Sequence, residues 1–260
     1  MPNVPNVRGI LQARVSGPAA RTAAWGRRPA TARDGRVLLQ PRPSRGRPKL
    51  HLGCGDRLMP GYLNVDLPPA EGVASGTSRP DVESDLWQLD CPPETIAEIR
   101  LHHVFEHFER AEALALLIRW FDWLAPGGVL ILETPDFDGC VAGWADRDSA
   151  ARGKILRHVF GSQEAPWARH LEGWSERLFR EVLPLVGFEM TKVEAGASDV
   201  DGLLPNVTAH ARRPAGAPPR EQRIAAAREQ LRLSMVADVE SERGLLKRWE
   251  QRFDELVRPT

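Results

Sequence analysis

The sequence predicts a doubly wound α/β domain, and three observations carry that reading. Short apolar strand segments alternate with helical periodicities from residue 48 to about residue 213. The first strand, Leu50-His51-Leu52, runs straight into the turn Gly53-Cys54-Gly55. The second strand, Tyr62 to Asp66, ends in a carboxylate. A glycine turn after one strand and an acid after the next is how an open α/β sheet holds a nucleoside at the carboxyl ends of its strands.

Each element has its own signal. Leu50-His51-Leu52 is short, apolar and bounded by Pro48 and Gly53, as a central strand should be. Residues 68–80 read as a loop, with Gly72, Gly76 and paired prolines at its start. Asp81 to Leu86 holds a short third strand ending near Asp85, and Ile96 to His103 alternates as a fourth. Arg110 to Leu124 is an amphipathic helix with Leu114, Leu117, Ile118 and Phe121 on one face, stopped by Pro126-Gly127-Gly128. Val129-Leu130-Ile131-Leu132 is a buried strand ending at Glu133-Thr134-Pro135-Asp136. Residues 137–173 read as a long irregular segment. Ser175 caps a helix from Glu176 to Val186, which Pro184 should kink or shorten. Gly187 to Glu194 and Asn206 to Ala211 complete seven strands.

Two extensions flank this domain, giving the expected division 1–47 (basic, disordered arm), 48–213 (α/β domain), 214–220 (linker) and 221–258 (helical extension). Residues 1–49 hold eleven of the 35 Lys/Arg and one of the 35 Asp/Glu, and are rich in Pro, Gly and Ala. That composition cannot bury enough apolar surface to order itself. Residues 50–260 are correspondingly acidic, with 24 basic and 34 acidic groups, which argues against a broad nucleic-acid face on the core. Leu231, Met235, Val239, Leu246, Trp249, Phe253 and Leu256 give the C-terminal stretch helical spacing, with Gly244 as the expected break. This helix should pack on its own domain, or else mediate self-association. Three scattered cysteines imply no disulfide framework and a reducing cytoplasm. No apolar run approaches the roughly 18 residues of a membrane span.

The spacing also speaks to the ligand. A dinucleotide fingerprint needs a third glycine near position 58, where this chain has Leu58, and a longer helix before the second strand. Residues 56–62 leave room for about one to two helical turns. A pyrophosphate is served by a helix N-terminus, whereas an adenosine without phosphate can do without one. S-adenosylmethionine fits that description better than NAD.

Several motifs in order and spacing resemble the class I S-adenosylmethionine-dependent methyltransferases. They are His51-Leu52-Gly53-Cys54-Gly55, Pro60-Gly61-Tyr62-Leu63-Asn64-Val65-Asp66, Asp85-Leu86, His103-Val104-Phe105-Glu106-His107-Phe108, Leu124-Ala125-Pro126-Gly127-Gly128-Val129-Leu130, Thr134-Pro135-Asp136, His170 and Gly187-Phe188. Within that class they look like small bacterial enzymes (methyltransferase type 11-like) often linked with surface-polysaccharide synthesis. The similarity covers about residues 48–213. It implies a Rossmann-like, mostly parallel seven-stranded sheet and S-adenosylmethionine as cofactor. It also implies a small-molecule or saccharide acceptor, methylated at oxygen.

By that resemblance, Gly53, Cys54 and Gly55 pack against the methionine part of the cofactor, as does His103. Asp66 accepts from both ribose hydroxyls, Asp85 faces the adenine amino group and Leu86 supplies apolar contact. A carboxylate suits a vicinal diol because two acceptor oxygens meet two donors in one plane. His107 is the expected general base, oriented by Glu106, since imidazole titrates near neutrality. Trp144, Trp167 and His170, with His158 and Gln163, fall in the region where such enzymes bind substrate. No metal is expected, because the histidines lack a recognised ligand spacing. Two rivals stand beside this reading: an NAD-dependent oxidoreductase, and a non-catalytic scaffold acting through the C-terminal helix.

Overall fold

A computed structural model describes residue 25 and residues 30–33, 36–42, 46–68 and 79–258. The predicted arm up to residue 24 and most of the predicted loop 68–80 lie outside the described residues. The chain divides into two compact units, residues 1–96 and 97–260. Its fold is mixed α/β, with a mostly parallel, Rossmann-like seven-stranded sheet and flanking helices.

The first unit supplies the strand run β5-β4-β3, formed by β3 (Lys49–Leu52), β4 (Tyr62–Asp66) and β5 (Val82–Glu83). All three are parallel, with Leu50 opposite Leu63 and Val65 opposite Val82. Leu50, Leu52, Leu63, Val65 and Val82 are fully buried, as expected of strands covered on both faces. The loop before β4 is tied down by Asn64, whose Oδ1 accepts the Met59 N–H at 2.8 Å and lies 3.2 Å from His51 Nδ1. Asp81 Oδ2 in turn accepts both the Asn64 backbone N–H and its side-chain amide, each at 2.9 Å.

Part of the expected disordered arm is ordered. β1 (Ala30–Arg33) and β2 (Arg36–Leu39) form an antiparallel hairpin, and β2 pairs in parallel with β6 (Leu89–Asp90) in a small second sheet. Val37 and Leu39 alternate with exposed Arg36 and Leu38. That period-two pattern over four residues was hidden by the surrounding arginines and prolines.

The second unit supplies the run β7-β8-β10-β9, with β7 at Ile96–His102 and β8 at Leu124–Pro135. In this run β9 (Glu189–Ala197) and β10 (Pro205–Arg212) follow late in the chain, and β10 is antiparallel to both β8 and β9. β8 begins at Leu124, not at Val129. Pro126-Gly127-Gly128 ends the preceding helix but lies within the strand, where Gly127 N–H and Gly128 C=O pair with Arg213 at 2.8 Å. α1 (Arg110–Trp123) is buried nearly all round, which a single amphipathic face did not predict. The reason lies at the C-terminus. α5 (Arg220–Leu233) and α6 (Glu240–Val257) both pack on α1, burying Ala227, Leu231, Phe253 and Val257. Asp122 accepts from Arg220 at 2.8 Å and from Arg223 at 2.7 Å, and Glu112 accepts from Arg252 at 2.6 Å. The two helices part at 234–239 rather than at Gly244, which sits inside α6. The Ser234 hydroxyl bonds back to the Gln230 carbonyl and Met235 N–H closes a tight turn on Arg232.

Residues 137–173 are more regular than expected. They hold α2 (Phe137–Trp144), α3 (Ser149–Phe160) and a 3-10 turn at Pro166–Ala168. Asp148 caps α3 by accepting the Ala151 N–H at 2.8 Å. α4 (Glu176–Leu185) is capped by Ser175 as predicted and keeps Pro184 within its last turn. There the lost donor costs one terminal hydrogen bond rather than breaking the helix.

Candidate functional site

In the first unit, β3 delivers the chain into a turn that needs glycine. Gly53 and Gly55 sit at φ +66° and +51°, the left-handed region that a side chain resists. The Val65 carbonyl accepts the N–H groups of both Gly53 (2.8 Å) and Cys54 (3.1 Å), fastening the turn to β4. One residue on, Asp66 Oδ2 accepts the Gly55 N–H at 2.5 Å, and Oδ1 accepts the Leu67 N–H at 2.7 Å. Burial pushes the Asp66 carboxyl above its ordinary range, and these two backbone donors oppose that rise. A side-chain hydrogen bond from the Cys54 thiol also reaches this carboxylate. Among the described residues, a Cβ placed on Gly55 would meet no atom within 4 Å.

The Cys54 thiol is buried, and burial first, then the charges of Asp66 and Asp81, raise its pKa far above normal. It is a packed neutral thiol rather than a nucleophile. Asp85 does not end the third strand, which is only Val82–Glu83. It lies two residues beyond, in a turn where its Oδ1 accepts the Trp87 N–H at 2.9 Å. Leu86 beside it is buried.

In the second unit, β7 ends at a polar cluster. His103 takes φ +53°, uncommon for a residue with a side chain, and its N–H donates to the Glu133 carbonyl at 2.9 Å. Its Nε2 lies 3.1 Å from the Asn206 amide nitrogen and its Nδ1 lies 3.2 Å from Glu106 Oε1. Nδ1 thus faces a carboxylate that accepts its proton, while Nε2 also lies 3.6 Å from Glu133 Oε1. Glu133 supports the arrangement, accepting from Asn206 at 3.5 Å and from the Thr208 hydroxyl at 3.3 Å.

Glu106 and His107 sit on a 3-10 turn, Phe105–His107. The Glu106 side chain is 2% exposed. Burial is the largest influence on it and raises its pKa. The His103 hydrogen bond and the charges of His103, His170 and His107 outweigh that and hold the carboxyl below its usual range. The expected pairing of Glu106 with His107 is not the one observed. Neighbouring residues on a 3-10 turn point about 120° apart. Glu106 turns inward to His103, and His107 Nδ1 donates to the Arg169 carbonyl at 3.0 Å. That bond leaves the lone pair of His107 on Nε2.

Of the predicted substrate residues, His170 joins this cluster. Its Nε2 is 3.8 Å from Glu106 Oε1, and its ring meets His107 edge-on at 4.7 Å. His158 is close to His103, ring centroids 5.9 Å apart, and donates from Nε2 to the Pro205 carbonyl at 3.0 Å. Burial lowers the pKa of both His158 and His170 and keeps them neutral near pH 7. Trp144 lies under the Arg152 guanidinium instead, 5.6 Å away, and Trp167 stands 42% exposed on its 3-10 turn. Gln163 is exposed, at φ +59°. Asn206 and Glu133 were missed. Both point inward from strands that read simply as buried, and only the pairing of β10 with β8 brings them together.

No family model and no curated protein matches the chain. Among solved structures, it is similar to an S-adenosylmethionine-dependent methyltransferase from Archaeoglobus fulgidus, 14% identical over 64% of this chain and 86% of that one, with a TM-score of 0.43. A second, from Mesorhizobium loti, is 18% identical over 64% and 90%, with a TM-score of 0.41. The N-methyltransferase NodS from Bradyrhizobium japonicum, in complex with S-adenosylhomocysteine, is 17% identical over 64% and 77%, with a TM-score of 0.41. Among the described residues, no helix is long and apolar enough to cross a membrane.

Proposed function

We propose that this chain is an S-adenosylmethionine-dependent methyltransferase acting on a small-molecule or saccharide oxygen in the cytoplasm. The observation that carries the reading is the latched turn, in which Gly53 and Gly55 hold left-handed backbone while Asp66 grips the Gly55 N–H. The residues fit the cofactor. Gly55 has no side chain to bar a close approach, and the Asp66 carboxylate offers two acceptor oxygens to a vicinal diol. Asp85 and Leu86 follow β5 and are assigned to the adenine. When bound, S-adenosylmethionine supplies a methyl group on a sulfonium, already activated toward displacement.

The chain's task is then to bind, orient and accept a proton. Orientation alone is worth up to about 7–11 kcal/mol in such a displacement. His107, with its proton on Nδ1 toward Arg169 and its lone pair on Nε2, is built to take a proton from an acceptor hydroxyl. The saccharide preference comes from the resemblance in the motifs. Isothermal titration of S-adenosylmethionine, S-adenosylhomocysteine and NAD into the purified chain tests the reading. Micromolar binding of the first two, with NAD silent, supports it. Silence toward both sulfur compounds by a folded chain rejects it.

A further inference from the structure

We propose that Glu106, His107 and His170 form a binding site for one divalent transition-metal ion. One ligand atom from each of these residues lies within 4.8 Å of the others. Ligands on one ion with bonds near 2.0–2.2 Å sit roughly 3–3.5 Å apart, so small side-chain rotations complete the set. The sequence hid this site because Glu106 and His107 are adjacent on a 3-10 turn while His170 comes 63 residues later.

Three features say the cluster is built for a cation rather than merely crowded. First, Glu106 Oε2 is buried with no hydrogen-bond donor among the described residues, while Oε1, 3.8 Å from His170 Nε2, is held by His103. A buried carboxylate oxygen without a donor is costly, and a cation is the partner that removes the cost. Second, His107 Nδ1 donates to the Arg169 carbonyl, which fixes the ring with Nε2 as the metal-binding nitrogen. Metal-bound histidines use such an outer hydrogen bond to set tautomer and orientation. Third, the backbone clamps the two halves of the site together. The Glu106 carbonyl accepts the N–H groups of Leu171 at 2.7 Å and Glu172 at 3.2 Å, the two residues that follow His170. Gly161 holds φ +81° against this segment. A Cβ there would lie 2.3 Å from the Ala168 carbonyl oxygen and 3.0 Å from the His170 ring, so glycine lets His170 come in.

Two imidazoles and one carboxylate favour zinc, cobalt, iron or manganese over calcium or magnesium, which prefer all-oxygen sites. Three protein ligands leave at least one position for an oxygen ligand. In methyl transfer, a role that rests on the function proposed above, that oxygen would be the acceptor hydroxyl. The ion would make its proton easier to lose to water, and because it would occupy His107 Nε2 it would take the place of His107 as the group that promotes that loss.

The test uses the full chain, stripped with chelator and without S-adenosylmethionine. Co2+ is added and followed by its visible d–d absorption, and Zn2+ is titrated calorimetrically. The expected result is a single ion per chain. His107→Gln, His170→Gln and Glu106→Gln should each weaken binding by at least about tenfold. His210→Gln, in the ion pair with Glu194 elsewhere, should leave binding unchanged. If the Glu106 or His170 variant fails to fold, His107→Gln decides. No Co2+ spectrum in the wild type, or equal binding in a folded His107→Gln, overturns the site. Because no cofactor is present, that failure leaves the methyltransferase reading standing. Metal binding without cofactor binding would do the reverse.

Discussion

Replacing Asp66 with asparagine tests the backbone latch it forms together with the ribose contact proposed for it. Its oxygens each accept a backbone N–H, from Gly55 at 2.5 Å and Leu67 at 2.7 Å, and under the proposed function they also accept the ribose hydroxyls. Asparagine retains one oxygen and turns an amide nitrogen toward one of those N–H donors. The variant therefore loses one acceptor for the cofactor and one latch on the turn. A hydrogen bond to a charged group is worth about 1.5–3 kcal/mol. At about 1.4 kcal/mol per tenfold, affinity for S-adenosylmethionine and S-adenosylhomocysteine should fall roughly 10- to 150-fold. The unlatched N–H costs a further ~1–3 kcal/mol of stability. At about 2–4 °C per kcal/mol for a chain of this size, the thermal midpoint should drop by several degrees. Calorimetric titration reads the first effect and a thermal melt the second. A folded Asp66→Asn chain that binds both ligands as tightly as the wild type would refute the ribose assignment.

Four further outcomes follow from the packing. Ending the chain at Arg213 removes the helices that cover α1; burial of Leu231, Phe253 and Val257 alone is worth about 5–8 kcal/mol, comparable with a whole domain's stability. Circular dichroism and light scattering should find that product unfolded or aggregated, and a stable monomer would show that α5 and α6 are dispensable. Arg213→Met strips the cation that caps the C-terminal carbonyls of α1 at Phe121 (3.0 Å) and Leu124 (2.6 Å), and should cost about 2–3 kcal/mol in urea unfolding. Burial depresses the His158 pKa below its ordinary 6.5, so its neutral form stabilises the fold fully above about pH 6.5, and that contribution is lost as pH falls toward the folded value. His158→Gln should make the loss of stability between pH 7 and 5 shallower, and an unchanged slope would assign that loss elsewhere. Cys54→Ala should leave cofactor affinity within about threefold while costing on the order of 1 kcal/mol, and the wild-type thiol should resist alkylation at pH 8 until the chain unfolds.

Much of the first unit's sheet was legible because its signals are local. The strand Lys49–Leu52, its glycine turn and the strand ending at Asp66 lie within eighteen residues, and steric rules for left-handed backbone demand glycine at such turns. The strands of the second unit were legible from apolar runs, and β10 was placed within one residue at each end. Errors came where a signal was diluted or shared. Residues 30–39 carry alternation inside an arginine-rich stretch, and α2 and α3 lie in a segment whose caps are single aspartates.

What the sequence determined alone is the class of fold and the chemistry of the turn, since both follow from short-range sterics and periodicity. Which polar groups meet is a different matter. Glu106 was expected beside His107 and is bonded to His103; Asn206, 103 residues after His103, holds the other side of the same ring. His170 reaches Glu106 because the Glu106 carbonyl binds the chain at 171 and 172. Those juxtapositions depend on strand order, on the direction of each side chain from its turn, and on long-range hydrogen bonds that no local window contains. Only the tertiary structure could decide them.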